Sequence, residues 1–258
     1  MEKTLRILQQ NLDSENENIE ELMDTLLDKN PQVLLFSEFC YKYKRKDKIS
    51  KLHKHEIIDR LRELGYDFYL PCECGDLEDP ENKYWGGEIC IMAVKKGIEF
   101  QQRERKNIDL SGRYIEGKLT FEKKISIEIL FVHVPQTFPD PEKSNEYNRS
   151  REKKKENMLD EICHFWNEYK NKEVFIAGDF NTEINGSTSC EDIFKPLYDA
   201  ANDTTRHEKT WRPKPDLDYI KCLDYALVSK PLYRCGCKTT LLETTSDHKA
   251  LLTEIKID

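Results

Sequence analysis

Polar residues that could do chemistry follow an apolar run in the middle of the chain. Val174-Phe175-Ile176-Ala177 is followed directly by the motif Gly178-Asp179-Phe180-Asn181. A short apolar run of this kind is typical of a buried strand, so a carboxylate and a carboxamide are expected where that strand ends. Asp and Asn are also common in turns, where they bond their own backbone. The motif therefore becomes informative only with partners elsewhere in the chain.

Six further residues of suitable chemistry lie at or near the ends of other apolar runs: Asn11, Glu38, His133, Asp224, Asp247 and His248. Carboxylates suit Mg²⁺, which binds through few of them and keeps several waters. A carboxylate held against an imidazole fixes its tautomer and raises its basicity, which a water-activating histidine needs near neutral pH. Singly, such a carboxylate is more often a helix cap or surface charge, and such a histidine is more often structural. Their recurrence at strand ends predicts one active site.

The composition predicts a globular protein with a heavily charged surface. The chain has 258 residues, of which 38% are hydrophobic and 35% are charged. This length allows one large domain or two small ones. No internal repeat or linker divides the sequence, so a single α/β domain over residues 1–258 is the economical interpretation.

The expected environment is the cytoplasm. No run approaches the roughly 18 apolar residues of a membrane helix, and the first residues lack the apolar core of a signal peptide. The nine cysteines are odd in number and scattered, which favours reduced thiols. Two Cys-X-Cys pairs, Cys72 with Cys74 and Cys235 with Cys237, have one intervening residue where zinc motifs usually have two to four. A zinc site is therefore not expected.

Charge is distributed unevenly along the chain. The formal net charge of −8 argues against a uniformly basic surface for nucleic acid but says little about one groove. Residues 41–54, which we call the basic segment, contain seven Lys and Arg residues with Tyr41 and Tyr43 among them. A second cluster consists of Arg149, Arg151, Lys153, Lys154 and Lys155. Either group could also be simply a solvated face.

Hydrophobic periodicity predicts the elements that position these residues. Apolar residues at Ile19, Leu22, Met23, Leu26 and Leu27 follow the i, i+3, i+4, i+7, i+8 spacing of one helix face. Further helices are predicted at residues 57–64, about 149–169 and 191–201. Strands are predicted at residues 5–10, 33–36, 66–70, 88–94, 113–121, 125–134, 174–177, 223–228 and 250–257. Residues 72–83 are predicted to form an exposed loop. Hairpin-like strand pairs mixed with strand-helix-strand units favour mixed sheets packed between helices.

Taken in order, these residues resemble the endonuclease/exonuclease/phosphatase superfamily, in particular deoxyribonuclease I and exonuclease III. The resemblance runs from Leu5 to the end of the chain and is carried by Asn11, Glu38, His133, the Gly178-Asp179-Phe180-Asn181 motif, Asp224 and Ser246-Asp247-His248. It implies an α/β fold, specifically a four-layer α/β sandwich in which two mixed β-sheets pack face to face and are flanked by helices.

The resemblance also implies a role for each residue. Glu38 would bind Mg²⁺, with Mn²⁺ as an alternative, and Asn11 and Asp247 would complete or support that site. His248, oriented by Asp224, would contact the scissile phosphate or activate water.

Asp179 would position or deprotonate the nucleophile, and Asn181 would donate a hydrogen bond to the phosphate as charge accumulates there. His133 resembles the second histidine of deoxyribonuclease I, with Glu88 as a candidate carboxylate partner. In-line attack on a phosphate ester needs a metal, a base for water and hydrogen-bond donors, and this set supplies all three.

Local features favour DNA as the substrate. The basic segment leaves the strand that carries Glu38, so it should rim the cleft, where cations contact phosphates and tyrosines stack. The predicted substrate contacts are Tyr41, Lys42, Tyr43, Lys44, Arg45, Arg113 and Gln136. Pro135-Gln136 and Thr210-Trp211 resemble the exonuclease III branch, whereas His133 departs from it.

The sequence therefore predicts a Mg²⁺-dependent phosphodiesterase that acts on DNA. Its preference for ends, nicks, abasic sites or intact duplex stays open, and no oligomeric state is indicated. The alternative is a phosphomonoesterase that acts on inositol phosphates, phospholipids or nucleotides, since fold alone does not fix the substrate. A third interpretation is a non-catalytic nucleic-acid-binding module on a nuclease fold.

Overall fold

The structure is a computed structural model that describes residues 3–13, 18–40, 44–45, 48–49, 54–74, 88–104, 112–122, 124–137, 144–184, 191–214 and 216–257. The helices are α1 (Ile19–Leu27), α2 (Lys54–Glu63), α3 (Asn145–Tyr169), α4 (Glu191–Ala200) and α5 (Lys230–Arg234). The strands are β1 (Lys3–Asn11), β2 (Val33–Cys40), β3 (Lys44–Arg45), β4 (Lys48–Ile49), β5 (Tyr66–Tyr69), β6 (Glu88–Lys95), β7 (Ile98–Arg103), β8 (Tyr114–Phe121), β9 (Ile125–His133), β10 (Val174–Asp179), β11 (Asn202–Asp203), β12 (Asp224–Val228), β13 (Lys238–Leu242) and β14 (Ala250–Ile257).

The larger strands form two six-stranded mixed sheets. Sheet 1 has the order β13-β14-β1-β2-β6-β5, and sheet 2 has the order β11-β12-β10-β9-β8-β7. Each sheet contains one parallel pair, β1 with β2 in sheet 1 and β9 with β10 in sheet 2. Each parallel pair is joined by a helix, α1 or α3, as such crossovers usually are. The predicted mixed sheets are confirmed.

Three apolar layers hold four structural layers together. The central core lies between the sheets and includes Ile7, Leu35, Phe131, Phe175 and Leu251. A second core joins the outer face of sheet 1 to α1 and α2, and a third joins the outer face of sheet 2 to α3 and α4. The predicted four-layer α/β sandwich is thereby confirmed. Within the described ranges, no helix has the length and apolar character needed to cross a membrane.

Helix α3 begins earlier than its apolar stripe indicates. The prediction started near residue 149, but Ser144 caps the helix by accepting a hydrogen bond from the Tyr147 backbone N–H, as N-cap serines commonly do. Six short elements, β3, β4, β7, β11, β13 and α5, were not predicted. Strands β7 and β13 lie at sheet edges with mostly partly exposed side chains, so their sequences carry little apolar alternation.

Gly178, the first residue of the Gly178-Asp179-Phe180-Asn181 motif, allows β10 to lie closely against β9. Its φ is +152°, and a Cβ placed there would lie 2.0 Å from the Val132 carbonyl oxygen. We expect Gly178→Ala to lower the free energy of unfolding by about 3 kcal/mol or more, because backbone atoms must move. Gly97→Ala is the matched control: its φ is +97° but its Cβ would meet nothing within 4 Å. Equal losses for the two variants in urea denaturation would contradict the steric explanation.

Candidate active site

The alternation of side chains along the central strands brings the candidate residues together. Every second side chain of β9, β10 and β12 faces the layer between the sheets, and this places His133, Asp179 and Asp224 at one end of that layer. Asp179 is paired with His133 in β9 and with Asp224 in β12. Leu5 and Ile7 of β1 face the same layer, and Asn11 continues their alternation. Both sheets therefore contribute to the site.

A cleft of about 570 Å³ opens above this end of the core. Its lining contains Glu38, Arg113, His133, Gln136, Asp179, Asn181, Trp211, Asp247 and His248. Eight of the predicted site residues are thus gathered in one concave, polar space, the form that a substrate site usually takes.

Asp179 lies at the centre of the cluster and is only 1% exposed. Its Oδ1 accepts the backbone N–H of Asn181 at 2.8 Å, and its Oδ2 accepts the side-chain amide of Asn11 at 3.2 Å. Burial and the nearby Asp224 carboxylate raise the Asp179 pKa to about 7, although His248 acts in the opposite direction. A carboxylate tuned to this range can exchange a proton near neutral pH.

Glu38 reaches the site because β2 is irregular. The pairing of β2 with β6 shifts register between Phe36 and Phe39, and Glu38 itself has φ of +54°. Non-glycine residues rarely adopt this conformation, and bulges of this kind re-aim side chains at functional sites. The Glu38 Oε1 accepts a hydrogen bond from Asn11 Nδ2 at 3.1 Å and lies 3.6 Å from His133 Nε2.

The carboxylates of Glu38 and Asp179 fit a divalent cation. One oxygen from each, together with a His133 nitrogen, lies within 4.8 Å of the others. The Asn11 amide N–H groups hold both carboxylates, while the Asn11 Oδ1 accepts the Asp13 backbone N–H at 3.0 Å. Asn11 was expected either to complete or to support the cation site, and its contacts through N–H groups fit a supporting role. Hard oxygen ligands favour Mg²⁺, and neither Cys-X-Cys pair belongs to a potential ligand cluster among the described residues.

His133 is held as a neutral imidazole. Its Nδ1 lies 2.8 Å from Arg113 Nη1, which donates the hydrogen bond because a guanidinium cannot accept one. The Nε2 atom lies 3.6 Å from Glu38 Oε1 and 3.8 Å from Asp179 Oδ2. Burial, with Arg113 and His248 adding to it, keeps the His133 pKa well below its usual value. The same Arg113 nitrogen also lies 3.2 Å from His133 Nε2, so Arg113 holds the ring from the cleft side.

His248 and Asp224 form a buried ion pair. The His248 Nδ1 lies 2.7 Å from Asp224 Oδ2, and Asp224 Oδ1 accepts the Gln9 side-chain amide at 3.1 Å. Burial lowers the His248 pKa, but the carboxylates, above all Asp224, outweigh it and raise the pKa to about 10. The imidazolium Nε2 points toward Asp179, 4.0 Å away. At neutral pH this group can donate a hydrogen bond, which favours phosphate contact over activation of water.

Asp247 lies at the cleft edge with its side chain 24% exposed. Its Oδ2 accepts the Trp211 indole N–H at 3.0 Å, and its Oδ1 lies 3.9 Å from His248 Nε2. Trp211 also forms a backbone bridge to His248. The structure therefore gives Trp211 a polar contact with a predicted ligand.

Asn181 adopts φ of +47°, which asparagine tolerates better than most residues. Its side-chain amide donates to Val134 O at 2.9 Å and to Asp179 Oδ2 at 3.2 Å. Its backbone carbonyl accepts from Lys155 Nζ at 2.6 Å. In this arrangement Asn181 orients Asp179 directly.

Several predicted residues lie outside the described part of the chain. These are Tyr41, Lys42 and Tyr43; only the backbone strand positions of Lys44, Arg45 and Glu88 are described, in β3 and at the start of β6. The predicted Glu88 partner of His133 and the role of the basic segment stay predictions. Arg113 and Gln136, by contrast, lie in the cleft lining as predicted.

Sequence reasoning missed three buried supports: Gln9, Thr210 and Lys155. Thr210 Oγ1 accepts the backbone N–H groups of Leu223 and Asp224 at 3.1 Å each. Lys155 is only 1% exposed and lies three and four residues before Met158 and Leu159 of the buried face of α3. Gln9 and Lys155 each occupy an inward position of an otherwise apolar pattern. That interruption was the signal in the sequence that could have identified them.

We expect divalent cation binding to release a proton at slightly acidic pH. Because the Asp179 pKa is raised to about 7, the carboxyl is mostly protonated near pH 6 and must ionise before it ligates a cation. Mg²⁺ affinity should rise from about pH 6 to about pH 8 and then level off. Titration calorimetry in buffers of different ionisation enthalpy should show release approaching one proton per ion near pH 6. Asp179→Asn should abolish the release, and a pH-independent affinity would contradict this assignment.

Comparisons with known proteins agree with the geometry. A search of curated proteins finds no match, but the Endonuclease/Exonuclease/phosphatase family matches residues 8–248. Solved structures of similar fold include TDP2 of D. rerio complexed with single-strand DNA product, with 14% identity, a TM-score of 0.59 and coverage of 98% of both chains. An AP endonuclease from Archaeoglobus fulgidus has 15% identity and a TM-score of 0.60 over 96% of this chain and 98% of that one. The human Nocturnin catalytic domain with bound sulfate has 15% identity and a TM-score of 0.59 over 100% and 98%. The chain belongs to the Endonuclease/Exonuclease/phosphatase family.

Proposed function

We propose that this chain is a single-domain, Mg²⁺-dependent phosphodiesterase that hydrolyses DNA, with Mn²⁺ as an alternative metal. The observation that carries the proposal is the position of Asp179. It lies between the Asp224–His248 ion pair and the Glu38–Asn11–His133 group at the floor of one cleft. A proton acceptor, a cationic donor and a candidate cation site thus face the same space.

In the proposed reaction, each of these residues has a distinct role. A divalent cation held by Glu38 and Asp179 would supply charge for the non-bridging phosphate oxygens. His248, kept cationic by Asp224, donates from Nε2 to a phosphate oxygen as negative charge develops. Asp179 orients the attacking water and accepts its proton. Arg113, hydrogen-bonded to His133 in the cleft lining, adds further positive charge.

Support for a DNA substrate comes from charge and from the structural neighbours. The cleft is lined by Arg113, Arg151 and Lys154, and such cations neutralise backbone phosphates. TDP2 of D. rerio binds a single-strand DNA product, and the A. fulgidus neighbour is an AP endonuclease. Asp179 and His248 lie beneath these cations at the cleft floor, where a strand could present its phosphate.

The same cations also favour a second candidate, a phosphomonoesterase for inositol phosphates, phospholipids or nucleotides. Three basic side chains around one cleft of about 570 Å³ could enclose a small multiply charged ester. Human Nocturnin, of similar fold, binds sulfate. The retained set of acid, base and candidate ligand residues disfavours the non-catalytic alternative.

One panel of assays separates these functions. Purified protein is incubated with Mg²⁺ or EDTA and with plasmid DNA, abasic-site duplex, single-stranded DNA, RNA, inositol phosphates and phosphoinositides. We expect EDTA-sensitive cleavage of DNA. Inactivity on all nucleic acids with phosphate release from an inositol compound would replace the proposal with the second candidate.

A further inference from the structure

The first turns of α3 form one wall of the catalytic cleft. Tyr147, Ser150, Arg151 and Lys154 all line it, together with Asp179 and His248. Their spacing of three, four and seven residues places them on one helix face. Of the other cations in the cluster of residues 149–155, Arg149 and Lys153 are exposed and Lys155 is buried, and none of the three belongs to the lining. The cluster therefore has a cleft-facing part, a solvent-facing part and one buried member.

This wall is fixed to the catalytic loops at two points. Lys155, almost fully buried, donates to the Asn181 carbonyl at 2.6 Å, and Arg151 Nη2 donates to the Gln136 carbonyl at 2.6 Å. Asn181 follows β10 and Gln136 follows β9, the strands that carry Asp179 and His133. Because the helix is bonded to both loops, its side chains keep a set position relative to the reacting atoms.

The exposed side chains of this wall include cations and an aromatic ring, which could bind a nucleotide chain. The Arg151 guanidinium lies 5.9 Å from the centroid of the Tyr147 ring, which is 45% exposed. Lys154 is exposed and forms no ion pair with any residue that the structure describes. Cations that follow a backbone, combined with an aromatic ring on which a base can stack, are typical of proteins that bind single-stranded nucleic acid.

We propose that Arg151 and Lys154 bind a second phosphate of a DNA strand, adjacent to the phosphate being hydrolysed, and that Tyr147 stacks against a base of the same strand. The inference rests on the proposed function and narrows its substrate to a single-stranded segment with at least two phosphates. Substrates with one phosphodiester reach Asp179 and His248 but leave this subsite empty.

The test compares two variants with a matched control. The variants are Tyr147→Ala and the double variant R151Q/K154Q. The control is R149Q/K153Q, which removes the same charge from the same helix outside the cleft. Binding of a fluorescent oligothymidylate of about eight nucleotides is followed by anisotropy in EDTA, so that the readout does not need cleavage. Hydrolysis of the same oligonucleotide and of the dinucleotide dTpdT, which has a single phosphate, is measured with Mg²⁺.

We expect R151Q/K154Q to weaken oligonucleotide binding by roughly 30-fold and to reduce the slope of log affinity against log salt by about 0.7, since each neutralised phosphate of a single strand contributes about that much. Tyr147→Ala should weaken binding roughly tenfold with little change in slope. The control should change binding less than about threefold and leave kcat/KM for dTpdT unchanged, whereas R151Q/K154Q should lower kcat/KM for the oligonucleotide at least about tenfold more than it lowers kcat/KM for dTpdT.

The outcomes distinguish the two proposals. If the wild type cleaves DNA but R151Q/K154Q behaves like R149Q/K153Q, the subsite is wrong and the nuclease assignment stands. If the wild type neither binds nor cleaves the oligonucleotide but hydrolyses inositol phosphates, both fail. Equal losses on dTpdT and on the oligonucleotide would show that the wall acts on the reacting phosphate itself and would overturn the second-phosphate assignment.

Discussion

Asp179→Asn is expected to lower turnover of the DNA substrate by at least about 10³-fold while leaving the fold intact. The substitution keeps the size of the side chain and an oxygen that can accept the Asn181 backbone N–H, now bonded at 2.8 Å. It removes the proton acceptor and one of the two carboxylates of the candidate cation site. Both losses fall on the reacting groups, so kcat should fall much more than KM rises.

The stability of the Asp179→Asn protein, unlike its activity, should not fall. Folding raises the Asp179 pKa from 3.8 to about 7, so the folded state favours the protonated form. Stability is therefore lost as pH rises through that interval, and the full penalty is present at about pH 8. Asp179→Asn should leave the Tm at that pH unchanged or higher. Asp160→Asn, an exposed carboxyl on α3, is the matched control and should change neither quantity. A fall of less than tenfold in kcat for Asp179→Asn would refute the central role of this residue.

The ion pair between Asp224 and His248 predicts the second large effect. His248→Ala and Asp224→Asn should each lower kcat/KM by about 10² to 10⁴, and the double variant should lose no more than the worse single variant. The reason is that Asp224 acts mainly through the imidazole, to which it bonds at 2.7 Å. Fully additive losses in a double-mutant cycle would show that the two side chains act independently.

The pH dependence gives an independent readout of the same pair. With the His248 pKa raised to about 10, the imidazolium persists through neutral pH. On the alkaline side, wild-type activity should therefore decline only as pH approaches that value. Asp224→Asn removes the largest favourable contribution, so the pKa should fall toward its ordinary value near 6.5. The variant should then lose activity as pH rises above about 7. An unchanged alkaline limb in the pH–rate profile of Asp224→Asn would contradict a cationic donor.

Much of the site could be predicted because side chains alternate along strands. In β9, β10 and β12, the residues of the inter-sheet layer are apolar until the strand ends, where His133, Asp179 and Asp224 take the same positions. Polar residues that interrupt an apolar alternation are visible in the sequence. Their mutual contact follows from strand pairing, which places Asp179 opposite both of the others.

Glu38 shows why the rest could not be predicted from the sequence. Simple alternation from Val33 and Leu35, which face the central core, would turn residue 38 toward the helices. The register shift in β2 and the positive φ of Glu38 redirect it into the cleft. Nothing in Phe36-Ser37-Glu38-Phe39 signals that irregularity, because no glycine or proline marks it. The supporting contact of Thr210 with the Leu223 and Asp224 backbone also depends on tertiary packing that local patterns do not encode.

Because the two sheets meet at Asp179, the catalytic rate should depend on how the sheets are aligned with each other. Sheet 1 contributes Asn11 and Gln9, which bond Asp179 and Asp224 of sheet 2, so a small rotation of one sheet over the other separates these partners. A shortened side chain deep in the shared core, such as Ile7→Ala or Phe175→Ala, would leave a cavity and let the two sheets shift, which would displace the reacting groups from one another. Variants of this kind would be slow enzymes with normal-looking folds, and their positions would lie far from any substrate atom.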